Sequence, residues 1–353
     1  MFELIKNFVI EGDILSIDNF GNGHINKTFL VKTTKKTYIF QLINVSVFSN
    51  IEMLMNNISL VTDHLREKGI NTLEIIKTKD GKLFTKYGDE YVRGYRYIEN
   101  SICYEALPTL DLVKEAARGF GEFHKNLVDI DISNIGDVIP DFHDTKKRFA
   151  YFKSIIEKDP KGRLEMCKED VDFVYSHEND YGLIVDAIND GSIGKRITHN
   201  DPKINNVAFD KSSGKVSCIL DLDTVMLGSY LYDFGDGLRS LFTGDNEDSP
   251  DTSKLVVNLD IYRSYLDGYY SEMTGALNKK EIELLPYSIL IISLELGMRF
   301  LGDFVNGDTY FGVNYSTHNL VRARTQLALA KDIILHMDEL KAITNEIVNK
   351  YSR

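Results

Sequence analysis

The chain has 353 residues, a net charge of −12 and three cysteines without a Cys-x-x-Cys spacing. Its length accommodates about two domains with a substantial core. The acidic balance argues against nucleic acid as a partner, since a phosphate backbone binds a basic face, and the cysteines favour a reducing, cytoplasmic setting without a disulfide framework or zinc cluster. No basic segment followed by a long apolar run opens the chain, so no signal peptide is expected. Residues 284–296, the most apolar stretch, include a proline and a glutamate and predict a buried helix rather than a membrane span.

The N-terminal part of the chain predicts a small, strand-rich domain. Residues 26–32 and 37–43 are β-rich runs separated by a turn. Residues 51–68 carry apolar side chains at helical spacing and precede a glycine, which is a typical helix end. Two further strands are expected, one ending at the turn at 80–81 and the other before Tyr97.

A glycine-containing turn precedes the strand predicted at 26–32 and is the candidate phosphate loop. Glycines let backbone N–H groups approach phosphate oxygens without a Cβ in the way. A plain hairpin turn is the alternative. A dinucleotide-binding fold is not expected, because a strand rather than a helix follows. The residues predicted to contact ATP here are Gly21, Asn22, Gly23 and Asn26.

The rest of the chain is mainly helical in pattern, beginning with an amphipathic segment at 110–125. A predicted hairpin at 197–223 interrupts it and contains His-Asn-Asp-Pro-Lys-Ile-Asn-Asn at residues 199–206. Protein kinases place an Asn five residues after the catalytic Asp, and a second Asp after the next strand.

Oxygen-bearing side chains of this hairpin repeat that kinase spacing. Asp201 is the predicted base that orients and deprotonates the acceptor hydroxyl, and Asn206 and Asp221 are the predicted magnesium ligands. Lys203 would supply a positive charge for the transferred phosphate. For each residue taken alone, an ordinary turn position is the alternative.

The predicted fold class is therefore α+β. We expect a two-lobed protein-kinase-like fold, with a small antiparallel β-rich lobe at 1–98 and a larger helical lobe at 99–353. The adenine of ATP is expected to lie against Tyr97, Ile98 and Glu99. One kinase feature is missing, because the third strand carries Gln41 where protein kinases have a phosphate-binding lysine. Either other groups hold the phosphates or catalysis is lost.

Several longer strings carry a family resemblance. They are residues 21–26, 97–100, 199–206, 221–226, 232–236, 297–301, 307–311 and 318–320. Together they closely resemble the N-acetylhexosamine 1-kinases, within the aminoglycoside-phosphotransferase and choline-kinase group, and Gln41 also resembles that family's pattern. The resemblance implies ATP- and Mg²⁺-dependent phosphorylation of the anomeric hydroxyl of N-acetylglucosamine or N-acetylgalactosamine. An anomeric hydroxyl is more acidic than an ordinary alcohol, so one carboxylate base suffices near neutral pH.

The resemblance also implies a sugar site formed by His24, Asp201, Asp223, Arg299 and Tyr310. Each of these residues also has an interpretation without a role in sugar binding. His24 and Tyr310 could be packing residues, and Arg299 could pair with Glu295 one helical turn earlier. Asp223 could equally be a ligand of the sugar or of the metal, or a residue that orients Asp221. Asp233 is expected to cap a helix and brace the catalytic loop.

Other classes of function remain as alternatives. A kinase of the same fold acting on an aminoglycoside, choline or another sugar is the main one, because fold does not determine the acceptor. The Asp-x-Asp at 221–223 also resembles nucleotide-sugar glycosyltransferases, but that reading leaves Asp201 and Asn206 unexplained. A nucleotide-binding pseudokinase is disfavoured because the predicted base and both metal ligands are present. No membrane partner is expected, and the sequence leaves the oligomeric state open.

Overall fold

The structure is a computed structural model that describes residues 2–21, 26–244 and 247–352. Its strands are β1 (Ile14–Asn19), β2 (Lys27–Thr33), β3 (Thr37–Ile43), β4 (Ile75–Ile76), β5 (Thr85–Tyr87), β6 (Glu90–Arg96), β7 (Ser101–Ile102), β8 (Arg196–Thr198), β9 (Val207–Asp210), β10 (Val216–Ile219) and β11 (Met226–Gly228). Its α-helices are α1 (Phe2–Ile5), α2 (Ile51–Glu67), α3 (Leu110–Asn126), α4 (Thr145–Lys158), α5 (Lys168–Ser176), α6 (Leu183–Asn189), α7 (Tyr230–Thr243), α8 (Leu259–Met273), α9 (Lys279–Asn306), α10 (His318–Leu335) and α11 (Met337–Tyr351).

One compact unit, called the sheet unit, comprises residues 1–102, 129–140 and 208–227. Its framework is an antiparallel sheet in the order β1-β2-β3-β6-β4, with β5 also paired to β6. Apolar side chains from these strands pack with α1 into a buried cluster that includes Phe8, Val31, Tyr38, Phe40 and Val92. The register sets Gln41 of β3 directly opposite Arg93 of β6, so both side chains lie on one face of the sheet.

Helix α2 of the sheet unit begins and ends at clear sequence signals. The Asn50 side chain accepts a hydrogen bond from the backbone N–H three residues on, and Gly69, with φ of 75°, follows the C-terminus. Midway along the helix, buried Asn57 donates to the carbonyls of Gly136 at 2.8 Å and Val225 at 2.9 Å. These bonds tie two distant chain segments of the sheet unit to α2, and the pairing of β7 with β9 connects one of them to the unit as well.

The other compact unit, called the helical unit, comprises residues 103–128, 141–207 and 228–353. Helix α3 packs closely on α8 at Gly268, where a Cβ would lie 2.0 Å from the carbonyl oxygen of Lys114. Helix α9 packs against α4, α7 and α10. Among the described helices, α9 is long and apolar enough to cross a membrane by those two criteria, but 83% of its most apolar window is buried inside the fold. That burial is typical of a core helix.

The predicted fold class is confirmed, with an antiparallel sheet toward the N-terminus and helices toward the C-terminus. The two β-rich runs are β2 and β3, the first two predicted helices are α2 and α3, and the predicted apolar helix is the middle of α9. The predicted division into a nucleotide-binding lobe at 1–98 and a lobe with the catalytic loop and the sugar site at 99–353 stays a prediction.

Candidate active site

The catalytic-loop motif follows β8 in the helical unit. Asp201 is partly buried, with 28% of its side chain exposed, and its Oδ1 lies 2.9 Å from the ammonium group of Lys203. The backbone carbonyl of Asp201 accepts a hydrogen bond of 2.9 Å from Nδ2 of Asn206. The donor end of the Asn206 amide is thereby occupied. This leaves its amide oxygen as the kind of hard ligand that magnesium prefers.

A buried carboxylate from α7 holds the backbone of this loop. Asp233 accepts hydrogen bonds from the backbone N–H groups of His199 at 2.6 Å and Asn200 at 2.8 Å, and from Nε2 of His124 at 2.7 Å. Asn200 has φ of 63°, a left-handed conformation that is uncommon for non-glycine residues and that asparagine adopts more readily than most, and the bonds to Asp233 support it. The predicted bracing role of Asp233 is confirmed. The predicted capping role is wrong, because Ser229 caps α7 and Asp233 lies within the helix.

Fixed charges surround Asp201 within the helical unit. The carboxylate of Asp201 raises the pKa of Lys203 against the effect of burial, so the ammonium group stays protonated at neutral pH. Burial would raise the pKa of Asp236, but Arg239, at 2.6 Å, and Lys203 outweigh it and lower that pKa. Asp236 is therefore ionised alongside the protonated Lys203.

A cavity of about 110 Å³ lies in the helical unit between α4, α9 and the loop after α9, and is called the acceptor cavity below. Aromatic rings form much of its wall, and two guanidinium groups face it. These residues are Tyr151, Phe152, Tyr310, Phe311, Arg148 and Arg299. Tyr151 and Tyr310 are 63% and 68% exposed, so the cavity opens to solvent at these two rings.

Arg299 is held by aromatic rings rather than by acceptors. Its guanidinium carbon lies 5.7 Å from the ring centre of Tyr310 and 5.4 Å from that of Phe311, within cation–π range. In the described parts of the chain this group makes no hydrogen bond, and its ion pair with Glu295 is long, at 3.9 Å. Its five N–H donors are therefore available to a ligand in the acceptor cavity.

The loop that carries Tyr310 is fixed by the end of α9. Gly307, with φ of 97°, caps the helix in the left-handed conformation. Asp303, in the last turn of α9, accepts hydrogen bonds from the backbone N–H groups of Thr309 and Tyr310, both at 2.9 Å, and of Phe311 at 2.8 Å. The loop geometry is thus set by a side chain that precedes it on the helix.

One buried carboxylate serves three basic side chains behind the cavity. Glu295 lies 3.1 Å from Nδ1 of His143 and 3.9 Å from both Arg148 and Arg299. Burial would raise the pKa of Glu295, but these three neighbours outweigh it and lower that pKa. Burial and the like charge of Arg299 lower the pKa of Arg148. A second carboxylate near the two guanidinium groups is that of Asp303, which lines the cavity.

In the sheet unit, Asp221 and Asp223 follow β10. Asp221 has φ of 54°, and Asp223 is buried. Oδ2 of Asp223 accepts a hydrogen bond of 2.7 Å from Nδ2 of Asn26, while its Oδ1 lies 2.6 Å from the Arg93 guanidinium. That second contact is an ion pair without an aligned hydrogen bond, so buried Oδ1 keeps acceptor capacity. A hard oxygen of this kind suits a hydrated magnesium ion nearby, and the loop therefore fits the metal. The predicted sugar contact of Asp223 stays a prediction.

The remaining predicted ligands belong to the sheet unit or are not described. Asn22, Gly23 and His24 lie outside the described residues. Gly21 is exposed with φ of 73°. The Tyr97 ring stands edge-on to Phe20 at 6.1 Å, the Ile98 carbonyl accepts a hydrogen bond from a serine hydroxyl, and Glu99 is exposed. Their contacts with a nucleotide stay predictions.

Sequence reasoning missed three basic residues at these places, namely Arg93, His143 and Arg148. Arg93 lies in the strand predicted before Tyr97, but the sequence does not give the register that sets it beside Gln41. His143 had no sequence signal, since its partner Glu295 lies 152 positions along the chain.

Comparison with known proteins identifies the family. The model of the phosphotransferase enzyme family (APH) matches residues 16–266, more than half of the chain. The fold resembles an aminoglycoside phosphotransferase from Alicyclobacillus acidocaldarius, with a TM-score of 0.63, 11% identity, and coverage of 99% of this chain and 96% of that one. It also resembles choline kinase from Cryptosporidium parvum Iowa II, with a TM-score of 0.59, 13% identity, and coverage of 94% and 92%.

A third structural relative is a spectinomycin phosphotransferase in complex with ADP and spectinomycin. Its TM-score is 0.56 at 14% identity, with 97% of each chain covered. The chain described above belongs to the phosphotransferase enzyme family.

Proposed function

We propose that this member of the phosphotransferase enzyme family transfers the γ-phosphoryl group of ATP to the anomeric hydroxyl of N-acetylglucosamine or N-acetylgalactosamine. Family membership and the Asp201–Asn206 loop support phosphoryl transfer. Proteins of the same fold include a spectinomycin phosphotransferase that holds ADP and a kanamycin complex that holds GDP, which supports a purine nucleotide as the donor, and we propose ATP as that nucleotide. The family strings around Arg299 and Tyr310 support the amino-sugar acceptor.

The observation that carries the sugar assignment is the acceptor cavity. Its aromatic wall suits the apolar C–H face of a pyranose, and its Arg299 offers donors without a protein acceptor at hydrogen-bond distance in the described residues. Sugar hydroxyls and an N-acetyl carbonyl are acceptors for such donors, and a planar guanidinium can bind two of them at once.

The side chains divide the work in the following way. Asp201 accepts the proton of the anomeric hydroxyl, and Lys203, held 2.9 Å from it, neutralises charge beside the transferred group. Asn206 of the helical unit and Asp221 of the sheet unit are each proposed as a magnesium ligand. Bound magnesium would neutralise charge on the phosphates of ATP. His24 and Asp223 complete the proposed sugar contacts, and the phosphate loop from Gly21 to Asn26 and residues 97–99 are proposed to hold ATP.

A cationic acceptor is the second candidate, because proteins of the same fold include a choline kinase and a kanamycin complex. The hydrogen bonding of the cavity disfavours it. Arg148 and Arg299 both face the acceptor cavity, and the two carboxylates near them are already engaged. Glu295 lies beside three basic side chains, while Asp303, which lines the cavity, accepts hydrogen bonds from three backbone N–H groups and from Nδ2 of Asn319. An ammonium group brings only donors, so it matches this lining less well than a neutral sugar does.

The test is an ADP-release assay with Mg-ATP and individual acceptors. We expect turnover with free N-acetylglucosamine or N-acetylgalactosamine and none with their 1-O-methyl glycosides, since methylation removes the anomeric hydroxyl. Turnover of the methyl glycosides would move the chemistry to another hydroxyl. Activity confined to choline or kanamycin would refute the sugar assignment and leave the phosphotransferase assignment in place.

A further inference from the structure

Gln41 stands where protein kinases carry a lysine, yet the sheet unit does place a cation at this point. Arg93, opposite Gln41 on the neighbouring strand β6, has a side chain that is 1% exposed. Its Nε donates to Oε1 of Gln41 at 2.9 Å, and its Nη2 lies 2.6 Å from Oδ1 of Asp223. The guanidinium also lies over the ring of Tyr95, with its carbon 5.3 Å from the ring centre.

The surroundings of Arg93 compensate its buried charge and hold it in one orientation. Burial would lower its pKa, but Asp223, Tyr95 and Asp221 outweigh burial and raise it. The neutral amide of Gln41 directs Nε without adding a second charge, so the cation remains for the carboxylates. A lysine at position 41 would itself supply the charge, and a second buried cation opposite it would then be repelled.

The acidic loop after β10 is held at two points from the same unit. Asp223 is engaged by Arg93 and Asn26, and the carbonyl of Val225 accepts a hydrogen bond of 2.9 Å from Asn57 of α2. Asp221, two residues before Asp223, has φ of 54° and ψ of 61°, a left-handed conformation that is uncommon for residues other than glycine, although aspartate adopts it more readily than most. Because only one residue separates the two aspartates, an anchor on Asp223 restricts the backbone conformations open to Asp221.

We propose that Arg93 is a positioning residue that replaces the third-strand lysine of protein kinases, holding Asp223 and thereby setting Asp221 in its magnesium-binding conformation. Arg93 is too deeply buried to contact ATP, and it acts through the carboxylates. This inference rests on the proposed function only in that Asp221 binds magnesium with the nucleotide. It does not depend on which acceptor is used.

The test measures nucleotide binding without an acceptor, by titrating a fluorescent ATP analogue at graded Mg²⁺ concentrations. Arg93→Gln removes the cation, and Gln41→Lys/Arg93→Gln returns it on the opposite strand, as in protein kinases. Arg66→Gln, which removes a cation from an exposed ion pair on α2, is the matched control. The melting temperature of each nucleotide-free variant is recorded alongside, so that loss of folding is separated from loss of metal binding.

We expect Arg93→Gln to raise the Mg²⁺ concentration for half-maximal binding about tenfold or more, the usual effect of removing a residue that orients a metal ligand. The double variant should recover most of this loss, which a general packing defect would not do. A folded Arg93→Gln protein with the wild-type Mg²⁺ dependence overturns the inference, as does a folded double variant without recovery.

If Arg93→Gln does not fold, Arg93→Lys decides in its place. It keeps the charge but loses the forked donors. A rise of about threefold or more in the required Mg²⁺ supports the inference, in keeping with partial loss of such an orienting contact, and an unchanged requirement overturns it. A wrong sugar assignment leaves all of these results untouched. Failure of the wild-type protein to bind Mg-ATP refutes the proposed function and the inference with it.

Discussion

The carboxylate of Asp233 offers the sharpest test of how the catalytic loop is held, because one atom can be changed without changing the shape of the side chain. Asp233→Asn replaces an oxygen with an NH₂ group at a site that is 1% exposed. In one amide orientation the NH₂ faces the backbone N–H of Asn200, and in the other it faces the N–H of His199 and Nε2 of His124. Either way, at least one buried donor loses its acceptor.

The magnitude follows from these contacts. Losing a hydrogen bond to a charged acceptor and leaving its buried donor unsatisfied costs about 3 kcal/mol. That is less than the usual stability of a domain, about 5–15 kcal/mol, so the variant should fold. The left-handed Asn200 then loses its support, and displacement of Asp201 by about 1 Å lowers kcat by about 10²-fold.

Urea unfolding and the ADP-release assay measure the two effects of Asp233→Asn separately. Asp186→Asn is the matched control, since its ion pair with Lys146 is exposed on both sides and is worth less than about 1 kcal/mol. A wild-type urea midpoint for Asp233→Asn would refute the bracing role. A wild-type kcat in a destabilised variant would show that the brace matters for stability but not for the placement of Asp201.

Other predictions concern the base, the acceptor cavity and acid stability. Asp201→Asn should lower turnover by about 10²–10⁴-fold, while calorimetry should find Mg-ATP affinity unchanged; near-normal turnover would remove Asp201 from the base role. Arg299→Lys should raise the KM for the sugar about tenfold through loss of the planar fork and leave the KM for ATP unchanged, whereas Arg324→Lys, in an exposed ion pair, should change neither. His143, more than any other neighbour, holds the pKa of Glu295 below its ordinary value of 4.5 against the effect of burial. The ionised carboxylate therefore stabilises the folded protein above pH 4.5, and this contribution is lost as the pH falls through the lower pKa of the folded state. Urea midpoints between about pH 5 and about pH 3 should therefore fall more steeply for the wild-type protein than for Glu295→Gln, and equal slopes would contradict this assignment.

Local signals in the sequence were sufficient for much of the fold. Helix α2 has an asparagine cap, apolar spacing and a terminal glycine, and all three lie within the helix or next to it. Strands β2 and β3 are likewise recognisable from their composition and the turn between them. The placement of residues 129–140 and 208–227 in the sheet unit was not predictable in this way. It involves long-range contacts such as those of Asn57 with carbonyls 79 and 168 positions away and the pairing of β7 with β9, and a periodic pattern carries no information on such contacts.

The candidate site likewise has a part that local sequence signals predict and a part that depends on long-range contacts. The loop from Asp201 to Asn206 is contiguous, so roles could be predicted from its spacing alone, and they stay predictions. A comparison with protein kinases at position 41 alone shows only that Gln41 replaces a lysine. Arg93, the cation that we propose compensates for it, lies 52 positions away and can be recognised only when the register of β3 and β6 is known.

Overall charge and local hydrogen bonding lead to opposite expectations for the acceptor. The overall charge of −12 would attract a cationic acceptor, but fields from exposed carboxylates are screened beyond about 8–10 Å at physiological salt. At the acceptor cavity, Arg148 and Arg299 have two carboxylates nearby, Asp303 in the lining and Glu295 behind it. Both carboxylates are already engaged, Asp303 by N–H donors and Glu295 by basic side chains, whereas Arg299 makes no hydrogen bond in the described residues. The lining therefore favours an acceptor molecule that supplies hydrogen-bond acceptors, as an N-acetylated sugar does, over one that adds ammonium donors, as an aminoglycoside does.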